Sequence, residues 1–127
     1  MENKGIVTRL SKFTVKDTAD KLEALLQQKN ITVYLRINQQ EEAAKAGIKL
    51  NGLEFLMFGN PQKGGQVMAV KPEAALDLPL KALVWEDEQH QTWVTYNETT
   101  VIQQRFSLSD EIANLTAIDQ LITALLG

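Results

Sequence analysis

Two apolar runs in the middle of the chain are bounded so sharply by turn residues that little freedom remains in what they can form. The first, about Glu54 to Phe58, stops at Gly59-Asn60-Pro61; the second, Leu80 to Glu86, begins directly after Pro79. Proline lacks an amide proton and fixes its own backbone angle, so neither run continues through it. Gly59 permits unusual angles, Asn60 suits a helix cap, and Pro61 suits the first helical position. Both runs are apolar on both alternating faces. Leu56 and Phe58 alternate with Phe55 and Met57, and Leu83 and Trp85 with Ala82 and Val84. A sheet covered by helices on one face would leave a second apolar face open, which marks a partner or a ligand groove.

The remaining elements follow from periodicity. Gly5 to Leu10 reads as a strand rich in β-branched residues. Thr14, with Asp17 three residues on, opens a helix whose apolar stripe is Val15, Ala19, Leu22, Leu25 and Leu26, closed at Lys29-Asn30. Thr32 to Asn38 alternates strictly, which predicts Val33, Leu35 and Ile37 on one face and Tyr34, Arg36 and Asn38 on the other. Asn38 and Glu41 cap a helix of about two turns ending at Gly47. Gly64-Gly65 predicts a loosely specified stretch after Pro61, with irregular or short helix through Gln66 to Val70 and a further turn begun at Pro72. Leu80 to Glu86 and Gln91 to Asn97 form a hairpin around Asp87 to His90. Thr99 to Phe106 is a helix, and Ser109 caps a last one in which Ile112, Leu115, Ile118, Leu121, Ile122 and Leu125 recur at helical spacing. This order predicts one α+β domain over residues 1–127, with helices packed on an antiparallel or mixed sheet. Neither a Walker A sequence nor a G-x-G-x-x-G turn is present.

Composition removes several kinds of chemistry. With 127 residues the chain buries roughly two-thirds of its unfolded surface, enough for one core. The net charge of -3 and the scattered placement of 13 basic residues disfavour nucleic-acid binding. No stretch approaches the ~20 apolar residues that span a bilayer, and Met1 to Val7 lacks the apolar run of a signal peptide, so a cytoplasmic protein without membrane contact is expected. Zero cysteines and one histidine exclude thiol nucleophiles and thiolate metal sites and make zinc improbable. No metal and no cofactor are expected. Ser107 and Ser109 lack a neighbouring base or nucleophile elbow, and Glu41-Glu42, Asp87-Glu88 and Asp110-Glu111 fall at helix starts or turns where acids favour the helix dipole or solvent.

At Phe58-Gly59-Asn60-Pro61, Ala74-Ala75-Leu76-Asp77-Leu78-Pro79-Leu80-Lys81, Val84-Trp85-Glu86-Asp87 and Trp93-Val94-Thr95-Tyr96-Asn97, the chain resembles the uncharacterised family called domain of unknown function 302. The resemblance covers nearly the whole chain. It implies an α+β fold similar to the TATA-binding-protein fold, a mostly antiparallel curved sheet packed by two main helices, and it implies no activity. Many members carry an acidic residue and a histidine where this chain has Asn38 and Gln39. A metal or haem role for that histidine would therefore have no counterpart here.

The expected role is binding rather than catalysis, of a small apolar or anionic molecule or of a second copy as a homodimer. Candidate ligand-binding residues are Tyr34, Arg36, Asn38, Phe58, Asn60, Lys81 and Tyr96. Arg36 is the anion candidate because a guanidinium offers paired donors. The alternative is an enzyme independent of metal and cysteine, with Lys81, Asp77 or Tyr96 as acid or base around the Asp77-Leu78-Pro79 turn. His90, in the hairpin loop among acidic neighbours, reads as part of a solvated tip. Trp85, Trp93 and Tyr96 read as cross-strand packing before they read as a stacking surface.

Overall fold

The structure, a computed structural model, describes residues 4–127; residues 1–3, part of the segment searched for a leader peptide, lie outside the described residues. Five strands, β1 (Ile6–Ser11), β2 (Thr32–Asn38), β3 (Leu53–Gly59), β4 (Leu80–Glu86) and β5 (Thr92–Asn97), form an antiparallel sheet in the order β1-β5-β4-β3-β2. The helices are α1 (Val15–Gln28), α2 (Gln39–Lys45), α3 (Pro61–Val70), α4 (Thr99–Phe106), α5 (Asp110–Asn114) and α6 (Asp119–Leu126), with a 3-10 helix at Pro72–Asp77. The α+β class is as expected, and the sheet is antiparallel rather than mixed.

Local chemistry sets most boundaries. Thr14 caps α1 by accepting the Asp17 amide at 3.1 Å, and Asn38 caps α2 by accepting the Glu41 amide at 3.0 Å. Asn30 follows α1 in the left-handed region, at φ 59°. In the hairpin, the Asp87 carboxylate accepts the Gln89 and Gln91 amides, both at 2.9 Å, and the Trp93 indole at 2.8 Å. These three donors, the indole first, hold its pKa below the usual carboxylate value.

The apolar interior falls into two clusters. Leu22 and Leu26 of α1, Leu56 and Phe58 of β3, Val84, Val94 and Ile122 of α6 close one between the sheet and α1 with α6. Val67 of α3, Ala74, Ile102 and Phe106 of α4, Leu108 and Ala113 of α5 make the other.

Three local expectations are corrected. Residues after Pro61 are regular: α3 runs unbroken through Gly64-Gly65, because the Asn60 carboxamide accepts the Gln62 and Lys63 amides and Val67 is fully buried. Capping and packing outweigh the cost of two glycines. The C-terminal stripe is two helices rather than one. The Thr116 hydroxyl donates to the Ala113 carbonyl at 2.7 Å, the turn tightens to i→i+3 bonds, and Ile118 leaves helical geometry at φ -128°. The break splits the stripe: Ile112 and Leu115 pack on the second cluster, Ile118, Leu121 and Leu125 on the first.

Strand β2 does not alternate strictly. Its register against β3 shifts between Val33 and Leu35, leaving Tyr34 as an extra residue. Val33 pairs with Phe58 on the helix-covered face, Leu35 with Met57 on the open face, and Arg36 with Leu56 back on the helix-covered face. Arg36 thus shares a face with the buried core instead of lying opposite to it.

Candidate functional site

The bulge and the two proline turns meet at one end of the sheet. Phe58 pairs with Leu80, so the turn that leaves β3 at Asn60 lies beside the cis Leu78-Pro79 bond that enters β4. Tyr34 projects from the bulge over this junction. A methyl group placed on Gly59 would stand 3.6 Å from the Tyr34 ring and 3.7 Å from Pro79, so the absence of a side chain there leaves ring and proline close around the backbone. The start of α3 and the turn after α5 supply the other walls.

The space between them is a half-open cavity of about 190 Å³, bordered by Tyr34, Asn60, Lys63, Met68, Leu78, Pro79, Leu115 and Thr116 among others. Its lining is mainly apolar. A neighbouring cavity of about 260 Å³ shares Gly59, Asn60, Lys63, Leu80 and Leu115 with it and adds Lys29, Phe58 and Leu121. Each is smaller than the roughly 300–1,000 Å³ of typical ligand sites, and only together do they fall within that range.

Tyr34 and Asn60 are therefore together, and Phe58 floors the adjoining space. The other four candidates lie elsewhere. Lys81 borders an adjoining polar cavity of about 160 Å³ with Asp77 and Arg105, which shares Leu80 and Thr116 with the first; its ammonium donates to the Pro79 carbonyl at 3.3 Å, and Arg105 pairs with Asp77 at 2.7 Å. Tyr96 belongs to a clamp between sheet and α6. Its hydroxyl donates to Asp119 and accepts from Arg9 Nε at 2.9 Å, while Arg9 Nη2 reaches Asp119 at 2.8 Å. Burial, then the Asp119 carboxylate, push the Tyr96 phenol up to about 12.

Arg36 and Asn38 border none of these spaces. Arg36 Nε donates to Glu54 at 2.7 Å, and its Nη1 lies 2.8 Å from Asp20 and 3.0 Å from Glu23. Hydrogen bonds to these carboxylates, Glu54 first, raise its pKa further. A guanidinium held by three carboxylates is an internal ion-pair cluster, poorly disposed toward an external anion. Asn38 is occupied in capping α2.

The residues that sequence reasoning missed are Lys29, Lys63, Met68, Leu78 and Leu115, contributed by α1's end, α3, the 3-10 turn and α5's end. None carries a motif. Only the meeting of the two turns brings them together.

The sheet face away from α1 and α6 is open. Leu10 is 51% exposed, Ile6 45% and Leu35 43%, and between these edges lie Leu83, Trp85, Trp93, Phe55 and Met57. Trp85 and Trp93 stack with ring centroids 6.4 Å apart, and the Trp85 indole donates to Thr95 at 2.8 Å. His90 lies at the exposed hairpin tip, 3.7 Å from Glu86. Among the described residues no three His, Asp or Glu side chains converge as a metal site would require, and no helix is long and apolar enough to cross a membrane.

Residues 7–125 match the family described as Domain of unknown function DUF302. A protein named Fluoride-specific ion channel FluC 1 from Brucella suis biovar 1 is 34% identical over 119 residues, covering 94% of this chain and 46% of that protein. The protein of the same name from Brucella abortus biovar 1 is also 34% identical, with 94% and 43% covered. The chain thus spans less than half the length of these relatives. A crystal structure of an uncharacterized conserved DUF302 protein from Bacillus stearothermophilus superposes with a TM-score of 0.82 at 19% identity, covering 96% of this chain and 95% of that one, a likeness of fold. The chain belongs to the DUF302 family.

Proposed function

We propose that this member of the DUF302 family is a non-catalytic binding module that holds a small, mainly apolar molecule between Tyr34, the start of α3 and the Leu78-Pro79 turn. The observation that carries this reading is the cavity of about 190 Å³ with its apolar lining and its neighbour sharing five residues. Apolar surface lining a half-open hollow stays in contact with water, and a ligand that covers it removes that surface from water. The groups considered for acid-base work support catalysis less well: Tyr96 is held by Asp119 and Arg9, and Asp77 by Arg105. The channel name of the Brucella proteins supplies no part of the reading, because the matched region is less than half of each.

Titration with 1-octanol, followed through backbone amide shifts, tests the proposal. Saturable shifts confined to Tyr34, Gly59 to Gly64 and Leu78 to Leu80, weakened by Leu115→Trp, are expected. Absent shifts, or shifts scattered over the surface, together with no bound mass in native mass spectrometry, would remove the cavity from consideration.

A second reading, homodimerisation, is favoured by the open apolar face carrying Leu10, Leu35, Trp85 and Trp93. It concerns the middle of the open sheet face rather than the end of the sheet where the two turns meet, and is compatible with the first.

A further inference from the structure

We infer that the ligand of this cavity is an amphiphilic anion, a carboxylate or similar oxyanion on a short apolar chain, with its charged end between Lys29 and Lys63. The inference rests on the cavity reading above and adds the chemistry of the head group. The two adjoining spaces differ in character. The first is bounded by Tyr34, Met68, Leu78 and Pro79, which suits a hydrocarbon chain. The second opens at Lys29, the residue that ends α1, and at Lys63 in the first turn of α3, which borders both spaces.

Among the described residues no acidic side chain borders either cavity. Lys16, Lys45 and Lys71 have carboxylate partners, whereas Lys29 and Lys63, like Lys4, Lys12, Lys21, Lys49 and Lys81, form no salt bridge among the described residues. The contrast with Arg36 is informative. The better anion donor by chemistry is already paired with Asp20, Glu23 and Glu54, while these two ammonium groups have no carboxylate partner among the described residues and stand beside an apolar space. In a chain of net charge -3, such a local excess of positive charge is what an incoming anion would meet first. Both lysines are exposed at the mouth, so the head group would remain partly hydrated and the attraction modest and sensitive to salt.

The test compares sodium octanoate with 1-octanol, the same chain with and without the charge, by calorimetry and amide shifts on the wild type and the Lys29→Gln/Lys63→Gln variant. Octanoate is expected to bind the wild type roughly five- to tenfold more tightly than octanol, and to lose that advantage in the variant and at high salt. The double substitution is expected to weaken octanol binding by less than it weakens octanoate binding, since octanol carries no charge. Equal affinities of octanoate and octanol for the wild type, or an octanoate affinity untouched by the double substitution, would overturn the anion assignment while leaving the cavity reading intact. Failure of both probes to shift the cavity amides would overturn both.

Discussion

Arg36 shows how one extra residue changes the meaning of a side chain. Period-two reading of Thr32 to Asn38 places it opposite the core, but the bulge at Tyr34 turns it onto the helix-covered face beside Glu54, which is 7% exposed. A buried carboxylate is tolerable there only because the guanidinium is present. Arg36→Leu is expected to cost about 2–3 kcal/mol, below the full buried-pair penalty because Arg36 keeps some solvent contact, and Arg36→Leu/Glu54→Leu is expected to regain most of it. Urea unfolding of both variants measures this; a double variant as unstable as the single one would contradict it. The clamp of Arg9, Tyr96 and Asp119 makes a prediction in pH. The Tyr96 pKa rises from its ordinary 10.0 to about 12, so its contribution is fully present below pH 10 and lost as pH rises toward about 12. Hydrogen bonds from Tyr96 and then Arg9 depress the Asp119 pKa below 3.8, so that contribution is present above about pH 3.8 and lost as pH falls through the folded value. Thermal melts across pH should show a steeper alkaline loss in the wild type than in Tyr96→Phe, and a steeper acid loss than in Asp119→Asn.

Helix α3 tests the balance between caps and propensity. The Asn60 side chain accepts from two amides, while Gly64 and Gly65 oppose helix in the next turn. Asn60→Ala should lower stability by about 1 kcal/mol and Asn60→Asp should retain most of it. Gly65→Ala should raise stability by about 0.5–1 kcal/mol, since an added methyl meets nothing within 4 Å and the residue has no positive φ. Urea midpoints decide both, and a destabilising Gly65→Ala would mean that the helix needs its flexibility. The caps at Thr14, Asn38, Asn60 and Ser109 were legible because each is satisfied within four residues of itself. The break between α5 and α6 was not. An apolar stripe at helical spacing looks the same whether it serves one core or two, and the tertiary arrangement divides it at Leu115 to Ile118.

At the scale of the molecule, the open sheet face is the feature without a partner among the described residues. Five strands about 4.8 Å apart and about six residues long give a footprint of roughly 20 by 20 Å, or about 400 Å². A standard interface takes about 800 Å² per partner, so a stable homodimer must also use the rim, where Leu50, Asn51 and Gly52 border a hollow with Trp85. Leu10→Lys/Leu35→Lys replaces two already exposed side chains and should leave the fold intact. Mass-determined sizing is expected to show a dimer for the wild type and a monomer for the variant. A monomeric wild type at micromolar concentration would dispose of the dimer reading and leave the cavity proposal untouched.

The order of strands and helices, the turns at Gly59-Asn60-Pro61 and Pro79, and the apolar character of both sheet faces were set by the sequence alone, since each depends on neighbours within a few residues. Tertiary structure decided which residues share a site. The register of β2 against β3 determined that Arg36 would be neutralised and Tyr34 freed, and the packing of α3 and α5 beside the proline turn determined that Lys63, Met68 and Leu115 would meet Tyr34. Such assignments depend on contacts between residues far apart in the chain, where a shift of one position moves a side chain to the other face.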